Sequence, residues 1–194
     1  MITDKKTYKQ YVSLDLKAYE LDKVGFIGFW KTDQLRFQLR LRKIEYLHNV
    51  KQKHPIFRLY LFVLELLNHR LSVKLGFSIP KNVFGPGLCI VHYGTIVVSS
   101  KASVGSFCRI HPSTSIGDYN GAPKLGDYVY IGPGAKIFGD IKIGNGVAIG
   151  ANSVVNKDVE ENVTIAGIPA KKISNKNSMA SGIYPEKIKR DVRL

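Results

Sequence analysis

Residues 124–159 read KLGDYV YIGPGA KIFGDI KIGNGV AIGANS VVNKDV when cut into sixes. Every unit has an aliphatic second residue (Leu125, Ile131, Ile137, Ile143, Ile149, Val155), and a glycine follows it in four of the six. An amphipathic helix repeats its apolar positions at three and four residues, so a sustained period of six excludes it. Each hexad instead supplies one short strand and one tight corner, and three hexads close a triangular coil of about 18 residues. Coils stack at the parallel-strand spacing of about 4.8 Å, which piles the aliphatic positions into one interior. Glycine is expected at the corners because it accepts backbone conformations that a side chain opposes. The fold is therefore mainly β, a parallel β-helix.

Counting back in sixes from Ile116 reaches Ile110, Val104 and Val98, so the same phase governs residues 96–117. The stretch DYNGAPK, residues 118–124, breaks the count and reads as a loop pushed out of the coil. Upstream the texture changes. Leu35, Leu39, Ile44 and Leu47 recur at helical spacing, and Pro55 opens a second helical stretch with Leu59, Phe62, Val63, Leu66 and Leu67. Its uninterrupted apolar part is much too short to span a bilayer. Packing against other helices or the β-helix end is the first expectation for it. Peripheral contact with an anionic membrane, through Arg58, His69, Arg70 and Lys74, is the second. The organisation is thus a helical N-terminal region over 1–77, the β-helix over 78–173 with its loop at 118–124, and a polar, basic tail over 174–194.

The net charge of +14 is unevenly spread. Lys and Arg outnumber Asp and Glu by 15 to 7 over residues 1–75 and by 7 to 2 over 171–194, but only by 7 to 6 over 76–170. Basic flanks of this kind suit anionic partners. No nucleic-acid-binding motif accompanies them, so no nucleic-acid partner is expected. Cys89 and Cys108 are separated by one coil plus one position and read as reduced, space-filling thiols of a cytoplasmic protein. The first twenty residues hold no long apolar stretch, and export is not expected. The five histidines show no metal-ligand spacing, which argues against a zinc enzyme built on the same coil.

VHYGTIVV at 91–98, YIGPGAKIFGDIKIGNGVAIGANSVVNKDV at 130–159 and AGIPAKKI at 166–173 resemble the catalytic part of left-handed β-helix (hexapeptide-repeat) acyltransferases of the serine O-acetyltransferase type. The resemblance implies a left-handed parallel β-helix with an α-helical N-terminal region. It also implies acetyl-CoA as acyl donor substrate with no tightly bound cofactor, and a homotrimer whose active sites lie between subunits. His92 matches the catalytic base, the group that removes a hydroxyl proton as the oxygen attacks the thioester. Tyr93 and Gly94 are candidate backbone donors to the oxyanion. Gly132, Ala135 and Ala151 match positions lining the CoA groove, and Lys157, Lys171 and Lys172 match basic positions near its phosphates.

Departures from that pattern bear on the acceptor. Where the serine-specific enzymes carry Asp-Ile-His-Pro, an Asp-His pair and an Arg-His pair in the extruded loop, this chain has Ser78-Ile79-Pro80, Val91-His92 and GDYNGAPKL. A free amino acid brings an ammonium and a carboxylate, and burying either unpaired is costly. A sugar or surface-polysaccharide precursor is therefore the expected acceptor, held by Tyr93, His111, Tyr119 and Asn120, with a closer likeness to polysaccharide and colanic-acid O-acetyltransferases. Serine, as in cysteine biosynthesis, is the alternative acceptor, and a non-catalytic β-helix scaffold is the alternative to an enzyme.

Overall fold

The computed structural model describes residues 1–21, 32–50, 55–180, 184 and 188. Three helices, α1 (Lys5–Ala18), α2 (Asp33–Asn49) and α3 (Pro55–Leu75), precede a triangular β-solenoid among these residues. Its first face holds β1 (Phe77–Ser78), β3 (Ile96–Val98), β6 (Thr114–Gly117), β9 (Lys136–Phe138) and β12 (Val154–Val155) in that order. The second holds β4 (Ser103–Val104), β7 (Lys124–Leu125) and β10 (Lys142–Ile143). The third holds β2 (Cys89–Ile90), β5 (Arg109–Ile110), β8 (Tyr130–Ile131), β11 (Ala148–Ile149), β13 (Thr164–Gly167) and β14 (Ala170–Ser174). Neighbouring strands are parallel except β13 and β14, an antiparallel pair that ends the stack.

The aliphatic positions of the hexads all point inward. Ile110, Ile116, Ile131 and Ile149 are fully buried, and Val98, Val104, Leu125, Ile137, Ile143 and Val155 are nearly so. Two kinds of glycine hold this geometry, and only one has the conformational role expected of it. Gly146 has φ +67° and stacks at a corner with Phe107, Tyr128 and Asn162, whose φ values are +55°, +56° and +60°. The glycines after the aliphatic residues serve close approach instead. A Cβ on Gly132 would lie 2.7 Å from the Ile149 carbonyl oxygen, and one on Gly144 would lie 2.5 Å from the Glu161 nitrogen.

A regular coil takes about 18 residues, and one such turn sets Lys124 opposite Lys142 and Tyr130 opposite Ala148. Two coils are longer. Ser103 faces Lys124, an excess of three positions, because the chain between Gly117 and Lys124 is extruded, as the broken count predicts. Cys89 faces Arg109, an excess of two. That second excess lies in the corner that carries His92: Ile96 comes seven positions after Cys89, whereas Thr114 comes five after Arg109. The interior position of that coil is Ile90, paired with Ile110, so His92 escapes the inward slot that counting back from Val98 would assign it.

The helices close the open end of the stack with side chains. β2 is the terminal strand of its face, and an unpaired strand edge leaves N–H and C=O groups without partners. Asp15 of α1 accepts from the Gly87 and Leu88 N–H groups at 2.8 and 3.0 Å. The Tyr19 hydroxyl accepts from Ile90 N–H and donates to Ile90 C=O, both at 2.9 Å. From α2, Gln38 donates to the Leu88 carbonyl at 2.8 Å, and Arg42 donates to the Phe84 and Gly85 carbonyls at 2.9 and 2.6 Å. Arg42 is wholly buried and also bonds Asp15 and Glu45. α1 itself starts at a reciprocal cap, with Thr7 N–H donating to Asp4 and Asp4 N–H to the Thr7 hydroxyl.

α3 packs through Leu71 and Leu75 and leaves Leu59, Phe62, Val63, Leu66 and Val73 exposed. No helix among the described residues is long and apolar enough to cross a membrane. The segment after Ser174 does not simply leave the coil. Ser178 donates to the Tyr128 carbonyl at 2.6 Å, Tyr184 donates to the Phe107 carbonyl at 2.7 Å, and Met179, Tyr184 and Ile188 pack with Cys89 and Ala18 on the third face. Lys187, Lys189, Arg190 and Arg193, basic residues of the tail, lie outside the described residues.

Candidate active site

The expanded corner between the third and first faces presents His92 to solvent. Its ring centroid stands 6.5 Å from that of His111, which in turn packs edge-on against Tyr130 at 5.2 Å. His111 follows β5, where its N–H donates to the Ile131 carbonyl at 3.2 Å and its carbonyl accepts from the Thr114 hydroxyl at 2.8 Å. The two histidines expected at a site are thus brought together by adjacent coils. Among the described residues, no carboxylate bonds the His92 ring.

Burial, with help from the Arg109 guanidinium and from His92, pulls the His111 imidazole down to about 4. It is therefore a neutral group at physiological pH. An unfolded histidine takes up its proton near pH 6.5 and folded His111 only near 4, so the unfolded chain binds more protons in between. Stability contributed by neutral His111 is complete above about pH 6.5 and falls as the pH drops towards 4. His111→Asn should flatten that acid limb, measured as urea midpoints at several pH values. Equal acid losses in both proteins would show that burial does not hold His111 neutral.

The column running away from His111 along the third face carries almost no side chains. Gly132, Gly150 and Ala166 follow one another through hydrogen bonds from Gly132 N–H to Ile149 C=O and from Gly150 N–H to Ile165 C=O. Ala151 is exposed at the next corner position, and Lys171 pairs with Ala166 at the end of the column. These small residues let successive backbones approach closely, and the column that begins after His111 ends beside the exposed Lys171. Ala135 is not part of it. It is fully buried and its carbonyl accepts from Ser115 N–H, so its methyl fills the coil interior rather than lining a groove. Lys157 lies beyond β12, on the side leading to the second face, and Lys172 pairs with Glu160.

Tyr93 is beside His92 and 71% exposed. The Gly94 N–H is taken by the Leu75 carbonyl at 3.0 Å, which removes it as a free oxyanion donor. Tyr119 and Asn120 sit in the extruded loop after β6, at the opposite edge of the first face from the His92 corner. One chain alone does not bring them to His92. Cys89 and Cys108 are both free and buried, and burial pushes the Cys89 thiol up to about 11, which leaves it a poor nucleophile.

Residues 122–157 match the family described as bacterial transferase hexapeptide (six repeats). A serine acetyltransferase of Synechococcus elongatus is 37% identical over 114 residues, which cover 56% of this chain and 47% of that protein. The chain therefore spans about half the length of the curated relatives it matches. Neisseria gonorrhoeae serine acetyltransferase superposes with a TM-score of 0.70 at 28% identity, over 92% of this chain and 70% of that one. A serine acetyltransferase solved as a complex with CoA gives 0.67 at 26% identity, over 87% and 70%. The solenoid is thus the left-handed hexapeptide β-helix. These relatives are serine acetyltransferases, and they lend no support to the closer likeness to polysaccharide enzymes expected from the sequence.

Proposed function

We propose that this left-handed β-helix is an acetyl-CoA-dependent O-acetyltransferase, with His92 as general base and serine as its acceptor. The observation that carries the proposal is an exposed histidine on a two-residue expansion of one coil, followed along the third face by a column of small residues, Gly132, Gly150 and Ala166. The serine acetyltransferases among its relatives favour serine over a sugar.

In this mechanism acetyl-CoA lies along the outside of that column with its thioester at the histidines and Lys171 towards its phosphates. His92 takes the proton of the acceptor hydroxyl as the oxygen bonds to the thioester carbonyl carbon. The tetrahedral oxyanion collapses, the C–S bond breaks, and the CoA thiolate takes up the acceptor's proton from the His92 imidazolium. The products are the O-acetyl ester and CoA-SH. A homotrimer completes the site in this account, because Tyr119 and Asn120 of one subunit would face the His92 corner of the next. The shared acceptor-facing groups are then Tyr93, His111, Tyr119 and Asn120. One observation speaks for a neutral sugar instead: the loop from 118 to 123 carries neither arginine nor histidine.

Release of free thiol from acetyl-CoA, measured against serine and a panel of nucleotide sugars and oligosaccharides, tests the assignment. Serine-dependent release is expected. Release stimulated only by glycans would return the acceptor to sugars. A protein that neither binds CoA nor releases thiol with any acceptor would leave the β-helix a scaffold.

A further inference from the structure

A cavity of about 600 Å³ lies between α2, α3 and the start of β1, within the range of about 300–1,000 Å³ that small-molecule sites occupy. Its floor is apolar. Phe37, Leu41, Phe77 and Ile79 line it and are all buried, and the rings of Phe37 and Phe77 meet edge-on at 5.2 Å. One polar side chain on the wall breaks this pattern. α3 buries only Asn68, Leu71 and Leu75, a stripe at helical spacing whose first member is an amide. Asn68 lines the cavity, is 6% exposed, and its Oδ1 accepts no hydrogen bond among the described residues. It is the one fully buried side-chain oxygen or nitrogen left without a partner among them. An amide oxygen withdrawn from water without a donor lowers stability, and a leucine in its place would not.

The carboxylate and the ammonium at the cavity, Glu65 and Lys81, bond each other at 2.9 Å, so neither is left to hold a counter-charge. We infer that this cavity is a binding site for a small uncharged molecule with an apolar body and one hydroxyl or N–H group that donates to Asn68 Oδ1. The floor takes the body by removing apolar surface from water. The amide selects the donor, because a ligand of the same shape without one leaves the oxygen unpaired. Neither His92 nor His111 lines the cavity, so the site is separate from the acetyl-transfer chemistry and stands independently of it. The two are nevertheless joined through the backbone. Leu75 and Gly76, which lead from α3 into Phe77, accept from the N–H groups of Gly94 and Ile96 at 3.0 and 2.9 Å, just after His92.

Full-length wild type and Asn68→Leu would be titrated with indole and with benzofuran, which has the shape of indole but an ether oxygen in place of the N–H, using ligand-observed NMR. Wild type should bind indole about tenfold more tightly than benzofuran, the effect of leaving one buried acceptor unpaired. Asn68→Leu should bind the two probes alike, and its thermal midpoint should be no lower than that of wild type because the unpaired oxygen is gone. The wild-type comparison needs no variant to fold. Equal affinities in wild type would remove the contact to Asn68 and overturn the site. A preference for indole that survives Asn68→Leu would also overturn it. Binding of neither probe, as when a second copy of the chain covers the cavity, would overturn it as well.

Discussion

His92→Ala should lower acetyl transfer by about 10²–10⁴-fold, the range that positioned general bases contribute. The effect should fall on kcat, with KM for acetyl-CoA nearly unchanged, because the small-residue column proposed for the donor begins beyond the His92 corner. Folding should not confuse the result. The ring is exposed, fills no core slot and bonds no carboxylate among the described residues, so the thermal midpoint of the variant should match the wild type. Exposure also allows a small base to enter from solvent, and added imidazole should restore part of the lost rate. Turnover that survives His92→Ala would shift the proton transfer to another group, with His111, 6.5 Å away, the first to test.

Arg42→Met should cost about 3–5 kcal/mol of stability, the usual loss when one member of a buried ion pair is removed. Arg42 is completely buried between Asp15 and Glu45, at 2.8 and 3.0 Å, and the two carboxylates are themselves almost wholly buried. The loss extends beyond charge, since the same guanidinium satisfies the Phe84 and Gly85 carbonyls. Chemical denaturation of wild type, Arg42→Met and the triple variant Arg42→Met with Asp15→Asn and Glu45→Gln would separate the contributions. The triple variant should recover part of the loss because no uncompensated charge remains inside. A single variant as stable as wild type would mean that water enters the cap and the network is not closed.

Interior and corners were unequally visible in the sequence. Period six marks every inward aliphatic because each occupies the same place in a coil, and Ile131 or Ile149 can be assigned by counting alone. Counting fails where the coil length changes. Nothing in VHYGT announces two extra residues, so the count from Val98 puts His92 inside the core, and only the pairing of Ile90 with Ile110 shows it outside. Ala135 fails for the opposite reason: a small residue in a Gly-rich repeat looks like a groove position, yet it faces the interior. The end cap was hidden because Asp15, Gln38, Arg42 and Glu45 read as ordinary polar residues of amphipathic helices, and their burial depends on a strand edge far along the chain.

A stack of identical coils has no length of its own. Each coil offers the next a fresh edge, and a bare edge is equally ready to accept a strand from another molecule. In this protein the first edge is met by Asp15, Tyr19, Gln38 and Arg42, which occupy the backbone groups of residues 84–90 one by one. At the far edge, β14 turns back against β13 in the antiparallel sense and breaks the parallel register. The helices are in this respect terminators of a one-dimensional stack, and the side chains that hold the strand leading into His92 are the ones that close its edge.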